Sequence, residues 1–259
     1  MSQWLTLLQK ELLEMWRNFK WIWVPITFIL IGVKNPISSY YLPQIIDSLG
    51  DLPEGAVIKI PKPTAAEVLI QSLGEYATLG VLVIVLSTMG IIAAERKSGV
   101  AAIVLVKPVS FLSYVTAKWA GGALLLWISF FIGYLATWYY TGLLFEWVPI
   151  NEFFQSYFYY AIWFTLILTV TVFFSSLLRT AGIAGFISLA VIIVVTIVSS
   201  SLSQWLEWSP AQLSAYANQF LLDKGVSDQL LPTSLLAAAC ILILLGVSIM
   251  IFRKKELAA

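Results

Sequence analysis

The chain has 259 residues, 60% of them hydrophobic and 11% charged, with a net charge of +1 and a mean hydropathy of +0.89. Soluble domains hold roughly 45–50% apolar and 25% charged residues, so the composition excludes a soluble globular protein and predicts an all-α polytopic membrane protein; the near-neutral charge argues against a nucleic-acid partner. There is no histidine and the one cysteine is Cys240, which excludes an intrachain disulfide, a Cys/His metal site, a His-ligated haem and histidine acid–base catalysis.

Residues 2–20 place Trp4, Leu5, Leu8, Leu12, Met15, Trp16 and Phe19 at helical spacing, with Lys10, Glu14 and Arg17 opposite. They read as an interfacial helix along the inner leaflet, or as the cytoplasmic start of the first span; no cleaved signal is expected. The first span is predicted at 21–41. Its Lys34 lies past the midplane and can snorkel outward as an interface anchor, with a substrate contact as the other reading, and Pro36 should bend or end the helix. Residues 42–75 are expected outside the membrane, where Thr64-Ala-Ala-Glu67 is a capping box for a short helix. Gly74 and Glu75 separate it from the second span or mark a weak point in one longer helix.

The second span is predicted at 76–94 and the third at 119–145, both uncharged and long enough for roughly 30 Å of hydrocarbon. Between them, residues 95–118 cannot lie in lipid. Their apolar piece, 100–106, is too short to span; Pro108 interrupts it and Ser110 is a good N-cap for a helix that restarts. Spans four and five, 153–178 and 180–199, form an antiparallel hairpin. Span five opens with Ala181, Gly182, Gly185 and Ser188, a small-residue face for helix packing or for lining a pathway. Residues 200–232 form an external or re-entrant segment with Trp205 and Trp208 as interface anchors, and 235–252 is the sixth span. This topology puts eleven of the fifteen basic residues inside and both termini in the cytoplasm.

Apart from Lys34 no ionisable group falls within a predicted span, which disfavours ion-coupled transport and membrane catalysis. The chain has no Gly-Lys-Ser or Gly-Lys-Thr phosphate loop, so ATP is not bound by that route.

Residues 95–119 resemble the first cytoplasmic loop of the permease subunits of ABC-2 type ATP-binding cassette exporters, where an E-[RK]-x-x-G-[TS] start follows span two and K-P-V-[ST] precedes span three. Here these are Glu95-Arg96-Lys97-Ser98-Gly99-Val100 and Lys107-Pro108-Val109-Ser110, with departures at Val100 and Phe111. The likeness extends upstream through residues 60–64 and Gly90 and in outline over all six spans. It implies one transmembrane permease domain, 1–259, that pairs with itself or a sister permease and docks a separate cytoplasmic ABC ATPase. It further implies that the ATPase holds the ATP and Mg, that this chain binds no cofactor or metal and is not itself an enzyme, and that the protein resides in the plasma membrane. Glu95, Arg96, Lys97, Gly99, Lys107, Pro108 and Ser110 are the candidate coupling residues; solvated positive-inside charge is the other reading of the first three. The pathway would run between permease halves, bordered by spans two and five, and suit an amphipathic or hydrophobic substrate such as a peptide, antibiotic or lipid. The alternative is a scaffold or sensor that docks a partner through loop 95–118 without moving solute.

Overall fold

The computed structural model describes residues 3–48, 62–100, 109–222 and 228–257. Its helices are α1 (Gln3–Arg17), α2 (Lys20–Ser48), α3 (Ala65–Glu75), α4 (Val81–Thr88), α5 (Ala93–Ser98), α6 (Phe111–Leu144), α7 (Ile150–Leu177), α8 (Ala181–Ser201), α9 (Leu213–Leu221) and α10 (Leu230–Leu257). A π-wound turn, Tyr76–Gly80, joins α3 to α4, and a 3-10 turn, Pro210–Gln212, leads into α9. Six stretches among the described residues are long and apolar enough to cross a membrane: Lys20–Ile45, Ala65–Lys97, Phe111–Leu144, Ile150–Leu177, Ala181–Ser201 and Leu230–Lys255.

Lipid tails are as apolar as leucine, so close approach and interhelical hydrogen bonds, more than water exclusion, hold such a bundle together. Helix α6 packs along α2 with two glycines at the crossing. A Cβ on Gly133 would stand 2.8 Å from Phe28 backbone, and one on Gly32 would stand 2.0 Å from the Tyr76 hydroxyl. That hydroxyl donates to the Phe28 carbonyl at 2.9 Å and meets Thr137 Oγ1 at 3.2 Å, which binds the second span to the first and third. Between α6 and α7 the seam is a tryptophan–threonine pairing. Trp119 Nε1 donates to Thr169 Oγ1 at 2.9 Å and Trp127 Nε1 to Thr165 Oγ1 at 2.8 Å. Phe28, Phe130, Tyr134, Phe153 and Phe164 fill the centre with ring contacts. Helix α9 folds back against α7: Phe220 stacks on Tyr159, and Pro210 shares a cavity wall with Trp163.

Helix α1 is separate from α2, as the first of the two sequence readings has it, because the chain corners at Asn18 and Phe19, with Phe19 at φ 56°. Other local features differ from the sequence expectations. Helix α2 runs through Pro36 and Pro43 to Ser48 instead of ending near 41; packing against α6 supports a membrane helix where a backbone bond is lost. Residues 65–75, expected outside the membrane, continue into the second span, so of the two readings of Gly74 and Glu75 the one longer helix holds. The Tyr76 N–H bonds back to Leu73 and Ser72 carbonyls, and buried Leu73 and Tyr76 keep the chain helical past Gly74. Likewise α6 starts at Phe111, so Lys118 lies well inside it instead of at its mouth.

Candidate functional site

The end of the bundle carrying α1, α5, the start of α6 and the close of α10 concentrates its ionisable groups. Helix α5 ends at Gly99, whose φ of 78° is left-handed backbone that glycine adopts without a Cβ penalty. Glu95, one turn earlier, is 7% exposed. Its Oε1 accepts from Lys118 Nζ at 2.9 Å and also from Lys10, while Oε2 accepts from the Tyr114 hydroxyl. Lys118, 1% exposed, donates in addition to Glu11 Oε1 at 2.8 Å. Lys10 completes the group with Glu14 at 2.8 Å and Glu11 at 3.1 Å.

The local sequence explains the convergence. Glu11 and Met15, four residues apart, form the stripe that α1 turns towards α6, where a Cβ on Gly121 would meet Glu11 at 3.3 Å. Tyr114 and Lys118, also four apart, share one side of α6, and the ammonium lies 5.0 Å from the Tyr114 ring centre. Burial works against charge on Lys10, but Glu14, Glu95 and Glu11 outweigh it and hold its pKa above the usual lysine range. The Glu11, Glu14 and Glu95 carboxylates lie within 4.8 Å of one another, a spacing a cation could bridge; here two ammoniums bridge them.

Serine and arginine bonds anchor the rest of this end to α7. Ser175 Oγ accepts from the Ile92 and Ala93 N–H groups at 3.1 and 3.0 Å and donates to the Met89 carbonyl at 2.8 Å. Arg96 Nη1 donates to the Ser176 carbonyl at 3.0 Å. From α10, Lys255 donates to the Leu177 carbonyl, and Phe252 stacks on Tyr114 with ring centres 4.9 Å apart. Helices α1 and α10 therefore close on the same end of the bundle.

Of the residues singled out by sequence, Glu95 is in the buried cluster, Arg96 is bound to α7, and Lys97 is exposed. Lys97 lines an open cavity of about 510 Å3 with Ala94, Ser98, Thr180, Ala181 and Gly182, so the small-residue start of α8 adjoins the root of the loop. Ser110 caps α6, accepting from Ser113 N–H at 3.0 Å. Lys107, Pro108 and residues 101–106 of the apolar piece before them lie outside the described residues. Gly185 packs against Met89, which a Cβ there would meet at 2.7 Å, and the Ser188 hydroxyl donates to Ala184 in its own helix. Trp205 and Trp208 are exposed in the turns after α8. Lys34, read as an interface anchor or a substrate contact, is paired with Glu75 at 2.7 Å. Sequence reasoning missed Glu11, Tyr114 and the inward role of Lys118; the one signal for them was an acidic residue on the apolar stripe of α1.

A family model described as "ABC-2 family transporter protein" matches residues 5–257. The chain is also similar to a Bacillus subtilis (strain 168) protein described as "Uncharacterized transmembrane protein YxlG", with 33% identity over 252 residues, covering 97% of this chain and 98% of that one. With six stretches of membrane-crossing length among the described residues and a match over nearly the whole chain, this multi-pass plasma-membrane protein belongs to the ABC-2 family of transporter proteins.

Proposed function

We propose that this chain is the permease subunit of an ABC exporter, forming the membrane pathway for an amphipathic or hydrophobic substrate and driven by a separate ATPase that docks at the root of loop 95–118. ATP and Mg belong to that partner. The end bearing Glu95, Lys97 and Lys255 faces the cytoplasm, which puts both termini inside and agrees with the distribution of basic residues.

The observation that carries the reading is the buried Glu95 cluster. An ATPase can do work on a permease only through a rigid joint, and Glu95 connects the start of the loop to α1 through Lys10 and to α6 through Lys118. Displacement of the loop is thereby passed to α1 and to the third spanning segment as one body. Two apolar faces stand open to a second permease or to substrate. Leu79, Leu82 and Leu86 are exposed along the second span, and Phe186, Ile193, Val194 and Ile197 along α8. A dimer, homomeric or heteromeric, would pair these faces around the pathway.

The test is to tag the chain after Ala259, extract it from native membranes in mild detergent and identify what copurifies. An ABC ATPase in roughly equal amount is the expected result. Recovery of the chain with neither ATPase nor ATP hydrolysis would promote the alternative, a non-transporting scaffold or sensor.

A further inference from the structure

The second spanning segment carries a polar site far from the docking end. Asn35 on α2 and Gln71, Gly74, Glu75 and Thr78 on α3 and the π turn line an open cavity of about 380 Å3. Lys34 closes on it by its 2.7 Å bond to Glu75. Asn35 is 9% exposed, and its Nδ2 has no hydrogen-bond partner among the described residues. A buried donor left unpaired destabilises a fold, so a bound acceptor accounts for its retention. Independently, the helix departs from α winding directly after Glu75, at Tyr76–Gly80, a feature that recurs where a helix serves a binding site.

Depth and chemistry narrow the ligand. Lys20 bonds the Ser87 carbonyl near the docking end, and Asn35 follows Lys20 by about 22 Å of helix at 1.5 Å per residue, in the remote half of a hydrocarbon layer about 30 Å thick. Asn35 offers an N–H. The Thr78 hydroxyl gives its proton to the Gly74 or Glu75 carbonyl, at 3.3 and 3.2 Å, so towards a ligand it accepts, as does Glu75. Leu79, Leu82 and Leu86 continue from the cavity as an exposed apolar track.

We propose that this groove binds the polar part of an amphipathic molecule, whose amide or ester carbonyl accepts the Asn35 amide proton while its apolar part lies along Leu79, Leu82 and Leu86. An amide fits best, since its N–H also finds an acceptor in Thr78 or Glu75. The ligand is an acylated peptide-like substrate or a phospholipid of the same carbonyl chemistry. Only its identification as transported cargo rests on the permease reading, and a binding assay without ATPase keeps the two separable.

The experiment uses the full-length chain in nanodiscs and a dansylated N-dodecanoyl dipeptide amide as probe. Asn35→Leu should weaken probe affinity by about fivefold to tenfold, the worth of one hydrogen bond, while the melting temperature holds or rises because an unpaired donor has gone. Gly74→Leu, whose Cβ meets nothing within 4 Å, should leave the protein folded and fill the groove, abolishing binding. Ether-linked phospholipid nanodiscs, which lack ester carbonyls, distinguish the sources. Tighter probe binding there than in ester-linked nanodiscs supports the site with lipid as its occupant; equal binding supports it with the peptide-like substrate. Wild-type and variant affinities that coincide, failure of the probe to bind in either membrane, or an Asn35→Leu protein that melts lower yet binds normally would overturn the proposal.

Discussion

Lys118 and Glu11 stand 107 residues apart and meet at 2.8 Å, with side chains 2% and 6% exposed. Glu95 shares the same ammonium at 2.9 Å. Two ammoniums, of Lys10 and Lys118, face the three carboxylates of Glu11, Glu14 and Glu95, and removing the shared cation leaves carboxylates buried without their strongest partner.

Lys118→Met should therefore be costly. Breaking a buried pair by deleting one member costs about 3–5 kcal/mol, most of it from the stranded charge. Thermal melting of the purified chain in detergent should show the loss, and adding Glu11→Gln should recover part of it by removing one stranded carboxylate. A double variant that melts no higher than Lys118→Met alone would mean that the pair does not act as a unit.

Lys10 gives a different signature in pH. Its pKa is raised in the folded protein, so its contribution is complete below the ordinary lysine pKa of about 10.4 and declines only as pH climbs through the folded value. Its side chain is 38% exposed, which limits the effect to about 1 kcal/mol or less through solvent screening. Lys10→Gln should lower the melting temperature by the same small amount at pH 7 and pH 9, with the difference closing only in stronger alkali. A gap that closes between pH 7 and 9 would contradict the raised pKa.

Local chemistry was legible in the sequence and tertiary partnership was not. The capping box at Thr64 and Glu67 is present, with bonds of 3.3 and 2.8 Å, and so is the Ser110 cap, because each depends on residues three apart. The six long apolar runs are visible for a similar reason: a hydrocarbon layer selects on local composition. Periodicity shows that Glu11 lies on the buried stripe of α1 but not that Lys118 waits there. The Lys34–Glu75 bond stayed hidden because span two was bounded by its uncharged run, and a π turn leaves no compositional mark by which α3 could be joined to α4.

Arg96 and Lys97, treated alike on sequence, separate in the structure. Arg96 holds the end of α7 through the Ser176 carbonyl, whereas Lys97 is exposed beside the cavity at the start of α8. Lys97→Glu should lower substrate-stimulated ATPase activity of the reconstituted complex and leave the melting temperature of the permease unchanged. Arg96→Glu should lower both. Full ATPase activity in Lys97→Glu would remove that side chain from the docking surface.

The crossing of α2 and α6 provides the last test. Gly32→Ala would put a methyl group 2.0 Å from the Tyr76 hydroxyl and 2.2 Å from Thr137 Oγ1, closer than real contacts allow, and overpacking of this kind costs about 1–3 kcal/mol. The variant should melt lower than the wild type. Adding Tyr76→Phe removes the nearest clashing atom but also its bonds to Phe28 and Thr137, and Thr137 still crowds the methyl. The double variant should therefore remain less stable than the wild type, while the two effects combine to less than their sum because they share one contact. Melting curves of the two single variants and the double variant measure this directly; strict additivity would show that Gly32 and Tyr76 do not meet as described.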